Sequence, residues 1–158
     1  VAEVPIRFDI IHVNDDLRER FRFDREGLPG FVLFKGKKHK RYKGELSTES
    51  IVRWLRKQRK VPVPVPGTIP NLERLALDYI REPADAKLVS VRNLIDAEHA
   101  DDKVAAWYEK ILDKVKAKGI DYIWQEIDRV KLLLRGKLTP EKSADMQHKL
   151  RVLIGLEL

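Results

Sequence analysis

Four of the chain's eight prolines fall within ten residues, Val61 to Pro70, in the run V-P-V-P-V-P-G-T-I-P. Each proline fixes its own φ at about −65° and removes a backbone donor. Each also drives the residue before it, here Val61, Val63, Val65 and Ile69, out of the helical region. Neither a helix nor a central strand can pass through such a segment. It is expected to run extended, rising roughly 3 Å per residue as polyproline II. One reading is a stiff spacer, residues 61–70, between a first unit at 1–60 and a second at 71–158. The other is a rigid surface loop within one domain.

Composition bounds the rest. The 158 residues suffice for one ordinary domain or two small ones, and 43% hydrophobic content can supply a core. Cysteine is absent. Disulfides, zinc–thiolate sites, CxxC redox chemistry and a cysteine nucleophile are therefore excluded within these residues. No apolar run approaches the ~20 residues that cross a bilayer, and no signal-peptide pattern opens the chain. The net charge of +7 is uneven: residues 1–60 hold 16 Lys and Arg against 9 Asp and Glu, and the remainder holds 16 of each. That asymmetry supports a division at the proline run.

In the first unit, Ile6 to Val13 is rich in β-branched and aromatic residues and predicts a strand. Asn14 and Asp15 can cap a short helix carrying Leu17, Arg20 and Phe21. A turn through Leu28-Pro29-Gly30 leads into a short strand at Phe31 to Phe34. Gly36-Lys37-Lys38 then reverses the chain into His39 to Lys43. Ser47 is a good N-cap for a helix that places Ile51, Trp54 and Leu55 on one face. The cations Lys35, Lys37, Lys38, Lys40, Arg41 and Lys43 read either as a phosphate-binding patch or as a solvated hairpin whose lysines discourage edge pairing. No nucleic-acid motif surrounds them, and nucleic acid is not the expected partner.

After Pro70 the pattern is helical throughout. Leu72, Leu75, Ala76, Tyr79 and Ile80 recur at helical spacing up to Glu82-Pro83. Ala84, Leu88, Val91 and Ile95 form a second stripe. Val104, Trp107, Tyr108, Ile111, Leu112 and Val115 form a third, closed by Gly119. Asp121 can cap a fourth helix carrying Ile123, Ile127, Val130 and Leu134. Thr139-Pro140 starts a fifth, with Met146, Leu150, Leu153 and Ile154. Five amphipathic helices with short connections make a bundle.

Two resemblances follow from these residues. The order of elements, with L-P-G-F-V-L-F-K-G-K followed by Y-K-G-E-L-S-T-E-S-I-V-R-W-L, resembles the second half of a thioredoxin fold. That resemblance implies a cis bond before Pro29 and a polypeptide-binding surface at Leu28, Pro29 and Gly30. Nothing corresponds to the first strands and helices of that fold, and a half sheet would leave an open edge. The run from Trp107 through Lys142, with Tyr108, Gly119, Asp121, Tyr122, Glu126, Arg129 and Lys137, resembles the helical D domain of PDI-D proteins. In layout the chain is similar to redox-inactive endoplasmic-reticulum chaperones of the PDI-D-beta or Windbeutel type. The expected fold class is α+β with two domains: a partial thioredoxin-like unit followed by an all-α five-helix D-domain bundle.

The resemblance implies a non-catalytic chaperone or escort factor of the endoplasmic-reticulum lumen. It implies binding of unfolded or secretory client polypeptides, homodimerisation, and contacts with the acidic arm of lectin chaperones. Arg129, Arg135 and Lys137 are the candidate cations for that arm. Gly155-Leu156-Glu157-Leu158 shares only its final Glu-Leu with the K-D-E-L-like retrieval signal of relatives. The alternative is the C-terminal part of a D-domain disulfide isomerase with CxxC domains upstream. No cofactor, metal site or catalytic residue is expected: His12, His39, His99 and His148 lack ligand spacing, and no phosphate loop or triad motif is present. Glu126 and Arg129, three apart, read as an ion pair on or between helices.

Overall fold

The computed structural model describes residues 7, 9–23, 29–59 and 63–157. They form two compact units, Val1–Leu46 and Ser47–Leu158.

The first unit holds helix α1 (Asp15–Phe21) and an antiparallel hairpin of β1 (Val32–Lys35) and β2 (Lys38–Arg41). Asn14 caps α1 by accepting from the Leu17 N–H at 2.9 Å. The hairpin pairs Val32 with Arg41 and Lys35 with Lys38, so Gly36 and Lys37 form a two-residue turn. Gly36 has φ 60; a positive φ at the first central position suits the twist of a hairpin turn. Phe21 reaches from α1 to the hairpin, edge-on to Phe34 at 5.6 Å and to His39 at 5.1 Å.

The strand expected at Ile6 to Val13 is not formed at its described positions, residues 7 and 9–13. Ile10 and Ile11 are exposed there. The physical reason is the lack of a ladder partner among the described residues: β-branched residues favour a strand only where a neighbouring strand and a covered face exist.

The second unit is all-helical: α2 (Thr48–Arg59), α3 (Pro70–Arg81), α4 (Asp85–Glu98), α5 (Lys103–Lys118), α6 (Asp121–Leu134) and α7 (Pro140–Gly155). The last five are the helices expected from periodicity. Asp102 caps α5 by accepting from the Val104 N–H at 2.7 Å, and Thr139 caps α7 ahead of Pro140. At α6 the N-cap is Ile120 and Asp121 is already helical, so the expected Asp121 cap is not made. The core is one cluster around Tyr108, Leu72, Ile111, Leu112, Ile123, Val130 and Leu153. Each such side chain stabilises the fold by about 1.5–3 kcal/mol on burial.

Two expectations change here. Helix α2, assigned from sequence to a first unit ending at residue 60, belongs to the helical unit, and Val52 lies in its core. The proline run is not a free-standing spacer either. Residues 60–62 lie outside the described set, but Val65 is buried in the helical core and Val63 and Ile69 pack against it. The chain turns at Pro66-Gly67, with the Thr68 N–H donating to the Val65 carbonyl at 3.1 Å and Gly67 at φ 81. Pro70 then opens α3. The expected uninterrupted extended rise is therefore broken by a turn at Pro66-Gly67, and the valines between the prolines make the segment a wall of the bundle.

Arg56 of α2 holds this wall. Its guanidinium donates to the Val63 carbonyl at 2.7 and 3.0 Å, to the Ile154 and Gly155 carbonyls at 2.9 Å each, and to the Glu73 carboxylate at 2.8 Å. Glu73 also accepts from the Thr68 hydroxyl at 2.8 Å. A Cβ on Gly155 would stand 2.6 Å from the Glu73 Oε2, so glycine is needed where α7 ends. Arg53 adds an ion pair to Glu157. The expected charge asymmetry therefore does not follow the division: cations of α2 serve the helical unit.

Removing one partner of a buried pair leaves the other uncompensated, which costs about 3–5 kcal/mol. Arg56→Ala should destabilise the helical unit by about 3 kcal/mol. Exposed Lys57, the next residue along α2, is the matched control, and Lys57→Ala should change little. The check is urea unfolding of both variants followed by far-ultraviolet circular dichroism. A loss below about 1 kcal/mol for Arg56→Ala, within the range of an ordinary surface substitution, would contradict this role.

Candidate polypeptide-binding surfaces

In the first unit, Pro29 and Gly30 are exposed just ahead of β1. Leu28, and with it the Leu28–Pro29 bond expected to be cis, lies outside the described residues. Gly30 lies flat against Phe23: a Cβ there would fall 2.1 Å from the phenyl ring. The Arg41 guanidinium lies over the same Phe23 ring, 4.5 Å from its centroid, and also donates to the Arg22 carbonyl. The Tyr42 N–H donates to the Phe31 carbonyl at 2.8 Å, extending the hairpin pairing towards Gly30. Phe34 is half-exposed beside Phe21 and His39. The segment after Pro29 thus offers backbone and aromatic surface together. Lys35, Lys37 and Lys38 are solvent-exposed around the hairpin turn.

In the helical unit, α6 turns Ile123, Glu126, Ile127 and Val130 inward. That spacing leaves Trp124, Leu132 and Leu133 off the buried face, at 41%, 68% and 38% exposure. Trp124, Asp128 and Leu132, four residues apart, share one stripe along the helix. Sequence reading singles out Arg129, Arg135 and Lys137 here and misses the apolar residues. Within the K-L-L-L run at the end of α6, the expected spacing turns Leu134 towards the core, and Leu132 and Leu133 are left exposed.

The three cations are not equivalent. Arg129 grips Glu126 in a two-pronged bond of 2.8 and 2.5 Å. Arg135 and Lys137 are exposed and make no ion pair among the described residues. Lys149 of α7, buried, reaches the same Glu126 carboxylate. Its ammonium also lies 4.8 Å from the Trp107 ring centroid, and Lys110 lies at 4.8 Å from that ring too. The Trp107 indole N–H donates to Asp145 at 2.9 Å. The ion pair expected between Glu126 and Arg129 is present, and it extends across to α7 and α5.

Hydrogen bonds from Arg129, joined by those from Lys149, hold the Glu126 carboxyl down to about 2, against the upward push of burial. A group whose pKa is lower folded than unfolded binds more protons when unfolded, so stability rises with pH through the window between the two values. This contribution is present above about pH 4.5 and is lost as pH falls towards about 2. Half-exposed Arg129 is screened, which leaves on the order of 2 kcal/mol. Glu126→Gln should flatten the acid limb of stability between those pH values and lower the melting temperature at neutral pH. Thermal melts from pH 7 to pH 2 measure both, and an unchanged acid limb would remove Glu126 as its source.

The family model described as "Endoplasmic reticulum protein ERp29, C-terminal domain" matches residues 67–155. The match begins at the Gly67 turn of the proline run, covers α3 to α7 with the α6 stripe and the Glu126 cluster, and ends at Gly155. It spans more than half of the 158 residues. The chain belongs to the ERp29 C-terminal domain family of chaperone-like endoplasmic-reticulum proteins.

Proposed function

We propose that the protein is a non-catalytic chaperone or escort factor of the endoplasmic-reticulum lumen that binds unfolded or secretory polypeptides. The observation that carries this reading is the exposure of three large apolar side chains of α6, Trp124, Leu132 and Leu133, outside the face that packs in the bundle. Unfolded chains expose scattered apolar side chains, and a surface of this kind removes them from water without a shaped substrate pocket. The exposed cations Arg135 and Lys137 follow Leu132 and Leu133 in the chain. They suit an acidic partner segment, such as the acidic arm of a lectin chaperone, by steering its approach. The exposed Pro29 and Gly30, beside Phe23 and ahead of β1, form a second surface for an extended polypeptide. The absence of cysteine removes thiol–disulfide exchange within these residues.

No helix among the described residues is long and apolar enough to cross a membrane. Homodimerisation belongs to the same reading and is measured by sedimentation of the full chain.

A fluorescently labelled secretory protein, kept unfolded by reduction and carboxymethylation, provides the test. The paired change Leu132→Asp and Leu133→Ser should weaken its binding about tenfold, the scale of removing two apolar contacts. Both sites are exposed, so the fold should be retained, as circular dichroism would show. Arg135→Glu with Lys137→Glu should leave this client's binding nearly unchanged and weaken binding of a glutamate-rich peptide, more so at low salt. Wild-type client affinity in the paired leucine variant would exclude the α6 stripe, and no binding by the unaltered chain would overturn the chaperone reading.

A further inference from the structure

The β1–β2 hairpin of the first unit carries a charge that its own fold does not neutralise. No Asp or Glu occurs between Glu26 and Glu45, the stretch that holds the lysine-rich hairpin. Lys35 stands directly opposite Lys38 in the pairing register. Like charges in that position repel and weaken a strand pair. Lys35, Lys37 and Lys38 are exposed, and none makes an ion pair among the described residues.

The backbone beside these lysines is open as well. The Tyr42 N–H donates to the Phe31 carbonyl, which fixes the alternation of the ladder. Lys35–Lys38 and Leu33–Lys40 are then the bonded pairs, and His39 and Arg41 turn their N–H and C=O groups outward. The sheet has two strands among the described residues, so no third strand meets this outer edge of β2 there. The His39 and Arg41 N–H groups find no other partner among the described residues. Side chains alternate between the two faces of a strand. Lys35 and Lys38 share one face, while Phe34 and His39 share the other, where Phe21 packs.

Charge decides what can pair with that edge. A second copy of β2 would bring lysine against lysine, which repels. A nucleic-acid strand needs aromatic faces set among the cations for its bases to stack on, and Phe34 lies on the face away from Lys35 and Lys38. An extended polypeptide with carboxylates at alternate positions meets both demands. Its backbone completes the His39 and Arg41 hydrogen bonds, and its acidic residues face Lys35 and Lys38. Its intervening apolar residues face the side of Phe34. Lysines on an open edge guard against strand addition, and here that guard discriminates by sign: it repels basic segments and admits acidic ones.

We propose that the outer edge of β2 takes an extended client segment as a third strand and selects segments in which acidic and apolar residues alternate. The proposal rests on the polypeptide-binding reading above and names a class of client for the first unit. Main-chain hydrogen bonds supply the attachment, and the lysine face supplies the choice.

The test uses the full chain and two end-blocked fluorescent peptides, one alternating glutamate with valine and the other alternating lysine with valine. The unaltered chain should bind the first and not the second. Amide hydrogen exchange at His39 and Arg41 should slow on binding, while the Lys38 and Lys40 amides, already in the ladder, should change little. Lys35→Glu with Lys38→Glu should weaken the glutamate peptide about tenfold, the scale of two exposed charge contacts, and should create binding of the lysine peptide. Both sites are exposed, so the melting temperature should hold. Equal affinity of the double variant for the glutamate peptide would overturn the proposal. So would binding without protection at His39 and Arg41, the behaviour of a solvated basic hairpin that attracts any anion. The unfolded secretory client keeps the two readings apart: its continued binding through Leu132 and Leu133 would leave the chaperone reading intact when the edge fails. Failure of the unaltered chain to bind either the glutamate peptide or that client would overturn both.

Discussion

The guanidinium of Arg56 is the point on which the helical unit's arrangement depends. An arginine presents five donors in a fixed planar fork, and here four groups from distant parts of the chain accept from it: Val63, Glu73, Ile154 and Gly155. Two of these are carbonyls at the end of α7; the Ile154 carbonyl also accepts from the Glu157 N–H at 3.3 Å, and Arg56 serves the Gly155 carbonyl beyond the helix's own ladder. Burial pushes the Glu73 carboxyl up and the Arg56 guanidinium down despite their contact, so desolvation outweighs attraction on both sides. Such a pair adds little net stability over an apolar packing of the same volume. Its effect is to specify. With Glu73 and Arg56 charged, α7 can end only where Gly155 leaves room, and the proline run can pass only where Val63 presents its carbonyl.

This explains why the helices are legible in the sequence and their outer boundary is not. Amphipathic periodicity reports which face of a helix is apolar, and α3 to α7 each carry enough turns to show it. The proline rules likewise exclude helix and strand over 63–69 and allow the start of α3 at Pro70, though they do not give the turn at Pro66-Gly67. Neither rule says what covers Val65. That depends on a tertiary contact, as does the use of Arg53 and Arg56, which nothing in the sequence separates from the other cations of α2. The basic bias of residues 1–60 therefore reads in sequence as a property of a separate domain, although the α2 part of it belongs to the bundle.

The strand expected at Ile6 to Val13 shows the same limit from the other direction. Its residues have the composition of a strand, but strand formation is a property of pairs. Helix α1 and the β1–β2 hairpin, whose bonds are local, form where the sequence puts them. On the candidate surfaces, charge is legible and apolarity is not. Arg129, Arg135 and Lys137 stand out individually, whereas Trp124 and Leu132 become noteworthy only once α6 is rotated so that Glu126 faces Lys149.

That rotation connects the core to the proposed activity. The apolar positions Ile123, Ile127 and Val130 alone would tolerate a modest turn of α6 about its axis, which would trade Leu133 or Leu134 for a neighbour. Glu126 removes this freedom. Its carboxylate must sit where Lys149 and Arg129 both reach it, and Lys149 is in turn held over Trp107, whose N–H is fixed by Asp145. An uncompensated carboxylate inside the bundle would cost more than the helix could recover in apolar burial by slipping. The exposed stripe is therefore presented on a helix that cannot roll its leucines inward when no client is present. A chaperone surface needs that property: apolar side chains that stay outside lose little conformational freedom on meeting a client, so less of the contact energy is offset by ordering.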